Sequence, residues 1–96
     1  MVQLATPDHA GSRDQVDEMI RSLATDLRGV HVELDCSNLL VGTPSFFDEI
    51  VKQILVERHA DTLDAIAAPE RVRQLLERAA DNRGVRGRLR VVLRAA

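Results

Sequence analysis

The most constraining stretch of this chain is a strand-like alternation that runs through a short loop into a capped helix. Val30, Val32 and Leu34 alternate with His31, Glu33 and Asp35, the period-two pattern of a strand with a buried face. Residues 36–42 form the loop, and its Leu39, Leu40 and Val41 predict that part of it tucks inward. Thr43-Pro44 then supplies a helix start: a hydroxyl that accepts from a free backbone N–H, and a ring whose φ suits the first helical position. Phe47, Ile50, Val51, Ile54 and Leu55 recur at three- and four-residue steps, which predicts an amphipathic helix running to about His59.

The same alternation of patterns continues on both sides. Met1–Ala5 alternates weakly and reads as a short strand, leaving its membership of the sheet open; Thr6–Gly11, with Pro7, Asp8 and Gly11, reads as a loop. Ser12 and Gln15 have the spacing of a capping box. Val16, Met19, Ile20, Leu23, Ala24 and Leu27 extend one apolar stripe behind it, with Gly29 as a left-handed stop. Asp61–Ala67 reads as another strand. Pro69 opens a third helix striped by Val72, Leu75, Leu76, Ala79 and Ala80 and ended by Asn82-Arg83-Gly84. Arg88–Leu93 reads as a last strand, with Leu89, Val91 and Leu93 on one face. Strands separated by amphipathic helices pair in parallel through right-handed crossovers. The predicted fold is α/β: a small, mostly parallel sheet of three to four strands with about three amphipathic helices. It forms one domain over residues 1–96, with 1–11 as an N-terminal strand and loop and 12–96 as the core.

Little in this sequence carries chemistry. Phe46 and Phe47 are its only aromatic residues, too few for a base-stacking surface. The net charge of −2 gives no pull toward nucleic acid or acidic membranes. Without a signal peptide or an apolar run near the roughly 20 residues of a membrane span, and with Cys36 as the lone cysteine, a cytoplasmic, membrane-free setting is expected. His9, His31, His59 and Cys36 have no metal-ligand spacing, and no nucleophile, base and orienting group can be named together. Catalysis, metal and cofactor are therefore not expected. Asp48 and Glu49 point about 100° apart on a helix and read as a solvated, dipole-favoured pair. Five arginines (Arg83, Arg86, Arg88, Arg90, Arg94) against Asp81 between residues 81 and 96 read as a guard on an edge strand or a surface for an acidic partner, ahead of a nucleic-acid contact. At the Thr43–Ser45 turn, capping alone accounts for Thr43. An anion or a phosphate carried on Ser45 also suits a helix N-terminus, although Gly42 is a single glycine and no glycine-rich phosphate loop is present.

Taken together, Ser12-Arg13 at the first helix, Leu34-Asp35-Cys36 ending the central strand, and Pro44-Ser45-Phe46-Phe47-Asp48-Glu49-Ile50 opening the second helix resemble the STAS-like domains. These are relatives of the anti-sigma factor antagonists and of the STAS domains of sulphate transporters, and the chain looks most like their small bacterial branch. The resemblance runs over residues 12 to about 93 and implies a STAS-like sandwich. Its implied function is non-enzymatic and regulatory: binding a histidine-kinase-like ATPase or an anti-sigma factor through the turn and helix after the central strand. The antagonists carry an Asp-Ser-Ser-Gly-like motif whose second Ser is phosphorylated by the partner kinase; Ser45 falls on that Ser, whereas Thr43 and Phe46 depart from the Asp and the Gly. The resemblance thus marks Ser45 as phosphoacceptor and Gly42, Thr43, Ser45, Phe46, Asp48 and Glu49 as the partner- or anion-binding turn. Two other readings stand beside it: a small anion- or nucleotide-binding domain at the same helix start, and an oligomerising scaffold, such as a homodimer, paired through the first or last strand.

Overall fold

The computed structural model describes residues 1–95. In chain order the elements are β1 (Val2–Ala5), β2 (His9–Ala10), α1 (Arg13–Ile20), β3 (His31–Asp35), β4 (Val41–Gly42), α2 (Pro44–Val51) continued by a π-helix (Lys52–Glu57), β5 (Thr62–Ala68), α3 (Glu70–Asn82), a 3-10 turn (Arg86–Arg88) and β6 (Leu89–Leu93). The main sheet has the order β1-β3-β5-β6, and every pair in it is parallel. Residues 2–5 therefore do join the sheet, as an edge strand in register from Val2↔Val32 to Ala5↔Asp35. The fold is α/β, with four parallel strands and three helices.

Each successive main strand lies beside the one before it. Right-handed crossovers between such neighbours carry every helix to the same face. Burial follows this rule. Val32, Leu34, Leu63 and Ala65 point into the helical layer and are fully buried, while Gln3 and His31 on the opposite face are exposed. The core is completed by Val16 and Ile20 of α1, by Phe46, Phe47, Ile50, Val51, Ile54 and Leu55 along the second helix, and by Val72, Leu76, Ala79 and Ala80 of α3. The Phe46 and Phe47 rings meet edge to face, their centroids 5.1 Å apart, the arrangement aromatic quadrupoles favour.

The capping box at Ser12 and the Thr43 cap form as the sequence predicts. The first helix, however, stops at Ile20 rather than near Gly29. Leu23 N–H already turns back to the Ile20 carbonyl (2.9 Å), and Arg58 reaches across to take the Leu23 and Ala24 carbonyls at 3.0 and 2.8 Å. Carbonyls that would have continued the helix are thus satisfied by a side chain from another element. Leu27 is buried from this turn and not from a helix. The second helix ends at Glu57, two residues short of His59, which adopts φ 61°, and its last turns widen into a π-helix in which Arg58 N–H bonds the Gln53 carbonyl at 3.0 Å. At its end the carbonyls of Leu55 and Ala60 both accept from Arg88, each through Nη2, at 2.7 and 2.6 Å.

Four of the five C-terminal arginines are consequently neither an edge guard nor a free basic patch, while Arg90 stands exposed on the edge strand β6. Arg83 pairs with Asp48, Arg86 with Asp81 and Glu77, Arg88 with the π-helix end, and Arg94 with the carbonyls of Cys36, Leu39 and Ala67. The sequence shows an excess of charge, but not that most of it is spent on internal carboxylates and carbonyls. Replacing Arg88 by Ala should lower the urea-unfolding free energy by about 1–3 kcal/mol, because two backbone acceptors lose their donor. Arg90→Ala should stay within about 0.5 kcal/mol. Equal effects of the two substitutions would contradict this role for Arg88.

Candidate functional site

The turn between β3 and α2 lies at the C-terminal end of the sheet. Three sets of bonds hold it. Leu40 and Val41 both donate their N–H to the Asp8 carbonyl, at 2.8 and 3.0 Å, and Thr43 N–H donates to Ala10 at 3.0 Å. This is the small parallel pairing of β2 with β4, which ties the turn to the N-terminal loop. From the other side, Arg94 Nη2 donates to the Cys36 and Leu39 carbonyls at 2.7 and 3.2 Å. Gly42 packs against the edge of the Phe47 ring, and a methyl group added there would overlap it.

Only Leu39 of the three apolar loop residues tucks inward. Leu40 and Val41 are 73% and 55% exposed although the N–H groups of both are bonded. The turn therefore presents two apolar side chains to solvent from a fixed backbone. Ser45 is exposed beside them, and Gly42 and Thr43 are half-buried. A shallow cleft below the turn is lined by Leu39–Gly42 together with Pro69, Arg71 and Val72; a second is lined by Pro44, Asp48, Leu75, Arg78, Ala79 and Asn82. Arg71 and Arg78 of α3 were not singled out by the sequence, where they read as the polar face of a helix.

The remaining residues of the turn face inward. Phe46 is fully buried and Glu49 is 7% exposed, so neither offers a side chain to a partner. Asp48 and Glu49 are not a solvated pair, because Arg13 Nη1 bridges both, at 3.2 and 2.8 Å. Gln53 donates to the second oxygen of Glu49 at 2.7 Å, and Arg83 grips Asp48 through two nitrogens at 3.1 and 2.8 Å. The three helices are thereby locked together through two adjacent carboxylates. Helical geometry does send the two side chains in different directions, but the guanidinium of Arg13 lies between them.

The helix start also has few donors left for an anion. Pro44 has no N–H, Phe46 N–H is taken by Thr43 Oγ1 at 3.3 Å, and Phe47 N–H bonds the Thr43 carbonyl at 3.4 Å. Among the described residues, Ser45 alone keeps a free amide in the first turn. Cys36 is fully buried, and burial, followed by the neighbouring Asp35 carboxylate, raises its thiol pKa to about 11, so at neutral pH it is not a thiolate nucleophile. Among the described residues no group of three or more His, Cys, Asp or Glu is placed to hold a metal ion, and no helix is long and apolar enough to cross a membrane. No family model, curated protein or solved structure matches the chain.

The two guanidinium groups, Arg83 foremost, hold the Asp48 carboxyl below its ordinary value of 3.8. A carboxyl more acidic in the folded than the unfolded state stabilises the fold above its unfolded pKa, and that contribution is lost as pH falls through the folded one. Stability should therefore drop as pH decreases from about 4. In Asp48→Asn this acid limb should be shallower, as followed by thermal melts from pH 6 to 2. Parallel limbs for the two proteins would show that the Asp48 pairs contribute nothing.

Proposed function

We propose that the chain is a non-enzymatic regulatory module that binds a protein partner through the turn of residues 40–45 and the adjoining face of α3. The observation that carries this reading is the exposure of Leu40 and Val41 on a backbone fixed from both sides. Exposed apolar side chains on an ordered backbone meet a partner with little ordering entropy left to lose. Arg71 and Arg78 in the flanking clefts supply cations for acidic groups on that partner. The scarcity of free amides at the start of α2 favours a macromolecular partner over a small anion or nucleotide.

The resemblance to STAS-like domains supplies the class of partner, a histidine-kinase-like ATPase or an anti-sigma factor, and gives Ser45 the role of phosphoacceptor. Ser45 is exposed at the second residue of α2, within reach of a kinase. A phosphate there would add about −1.5 to −2 charges beside Leu40 and Val41, with one free amide to receive it. It would act by repelling or recruiting the partner rather than by rearranging the fold.

The test is calorimetric titration of the chain with a histidine-kinase-like ATPase encoded in the same genome. Leu40→Asp should weaken binding at least about tenfold, which corresponds to about 1.4 kcal/mol, and should shift the melting point little because Leu40 is mostly exposed. Incubation with ATP and the kinase should add one phosphate to the wild type and none to Ser45→Ala. Binding unchanged by Leu40→Asp would place the partner surface elsewhere. Phosphorylation that persists in Ser45→Ala would remove Ser45 from the account.

A further inference from the structure

We propose a second docking surface, on the sheet face that carries no helix, and infer that its occupant is a basic protein segment that sets Arg or Lys side chains on Glu33 and Asp64. All-parallel sheets are ordinarily covered on both faces. In this chain the three crossovers leave one face open. Its central row runs Gln3↔Glu33↔Asp64↔Arg90 across all four strands, with Asp35 and Ile66 adjacent in the next row.

Two observations indicate what belongs on this face. First, Glu33 and Asp64 are direct neighbours on the paired strands β3 and β5, and like charges in that relation repel. Second, this charge is incompletely neutralised from within. Glu33 accepts from Gln3 Nε2 at 2.9 Å and Asp35 from the Ser37 N–H at 2.9 Å, but Asp64 Oδ1 is shielded from water and, among the described residues, accepts no hydrogen bond. Arg90 is next in register yet makes no ion pair with it among the described residues. A cation arriving from outside would neutralise both central carboxylates at once, and Ile66 and the exposed Val92 offer apolar contact beside them.

The same charges argue against other occupants. A second copy related by a twofold axis along the strands, midway between β3 and β5, would place Glu33 over Asp64 of its mate. An axis across the strands would place each carboxylate over its own equivalent. Both arrangements put acid on acid. Nucleic acid and anionic bilayers are repelled by the same row. A basic strand or helix is the complement that remains, and because its ion pairs would be partly desolvated against the sheet, they favour specificity.

The test is a titration of the isotope-labelled full chain with the synthetic peptide (Arg-Val)5, followed by amide NMR shifts, with (Glu-Val)5 as control. The expected shifts fall on residues 3–5, 31–35 and 62–66 and leave 40–45 unmoved, so the outcome is separable from the partner turn. Asp64→Asn and Glu33→Gln should each weaken the binding about tenfold, and Arg90→Glu should strengthen it. Asp64→Asn should melt no lower than the wild type, because it relieves a like-charge pair. Shifts that are absent, equal with the acidic peptide, or insensitive to both variants would overturn the proposal. So would a concentration-dependent dimer, seen by sedimentation, that uses this face.

Discussion

Everything in this fold depends on the handedness of three crossovers. Four parallel strands laid side by side in chain order, each joined to the next by a right-handed turn, force all helices to one side. That decision sets the core, because only one face of each strand can be apolar, and Val32, Leu34, Leu63 and Ala65 occupy it. It also sets the polar face of Gln3, Glu33, Asp64 and Arg90. A chain of 96 residues has little more than one core to work with, and here that core is a single layer between helices and sheet.

The second constraint is the supply of hydrogen bonds where elements end. Helix and strand termini leave carbonyls without partners, and this chain satisfies many of them with arginine. Arg58 serves the turn after α1, Arg88 the end of the π-helix, and Arg94 the ends of β3 and β5. A guanidinium presents five donors in a rigid fork, so one side chain can hold two or three carbonyls. The bulge in β5 at Ala67, where φ is 52° and the pairing with β6 shifts register, belongs to the same scheme, since Arg94 bonds the Ala67 carbonyl at 3.2 Å. The Leu40–Thr43 turn is held at its backbone partly by this stapling, through Arg94 on the Cys36 and Leu39 carbonyls, and partly by its own N–H bonds to Asp8 and Ala10. Its apolar side chains can stay in water because its backbone has no freedom to withdraw them.

Local patterns were legible in the sequence, whereas long-range pairings were not. The strands at 31–35 and 62–68, the caps at Ser12 and Thr43 and the stripe along α2 follow from periodicity and from side chains that bond their own backbone within three residues. The early end of α1 was hidden because Leu23, Ala24 and Leu27 continue a helical period, while the competing bond comes from Arg58, 34 and 35 residues away. The Arg13–Asp48–Glu49–Arg83 cluster was hidden for the same reason, its partners lying 35 and 36 residues apart. At the candidate site, the sequence located the turn and its exposed serine, but could not distinguish the inward Phe46 and Glu49 from the outward Leu40 and Val41. That distinction depends on Asp8, Ala10 and Arg94, which only the fold brings near.

The central claim is that the turn after β3 is a fixed platform rather than a loose loop. Amide hydrogen exchange reads this directly. The N–H groups of Leu40, Val41 and Thr43, bonded to Asp8 and Ala10, should be protected to within about tenfold of the Ile50 amide in α2, a difference of about 1.4 kcal/mol or less in opening free energy. Exchange of those three amides at the rate of an unstructured peptide, with Ile50 still protected, would contradict the account.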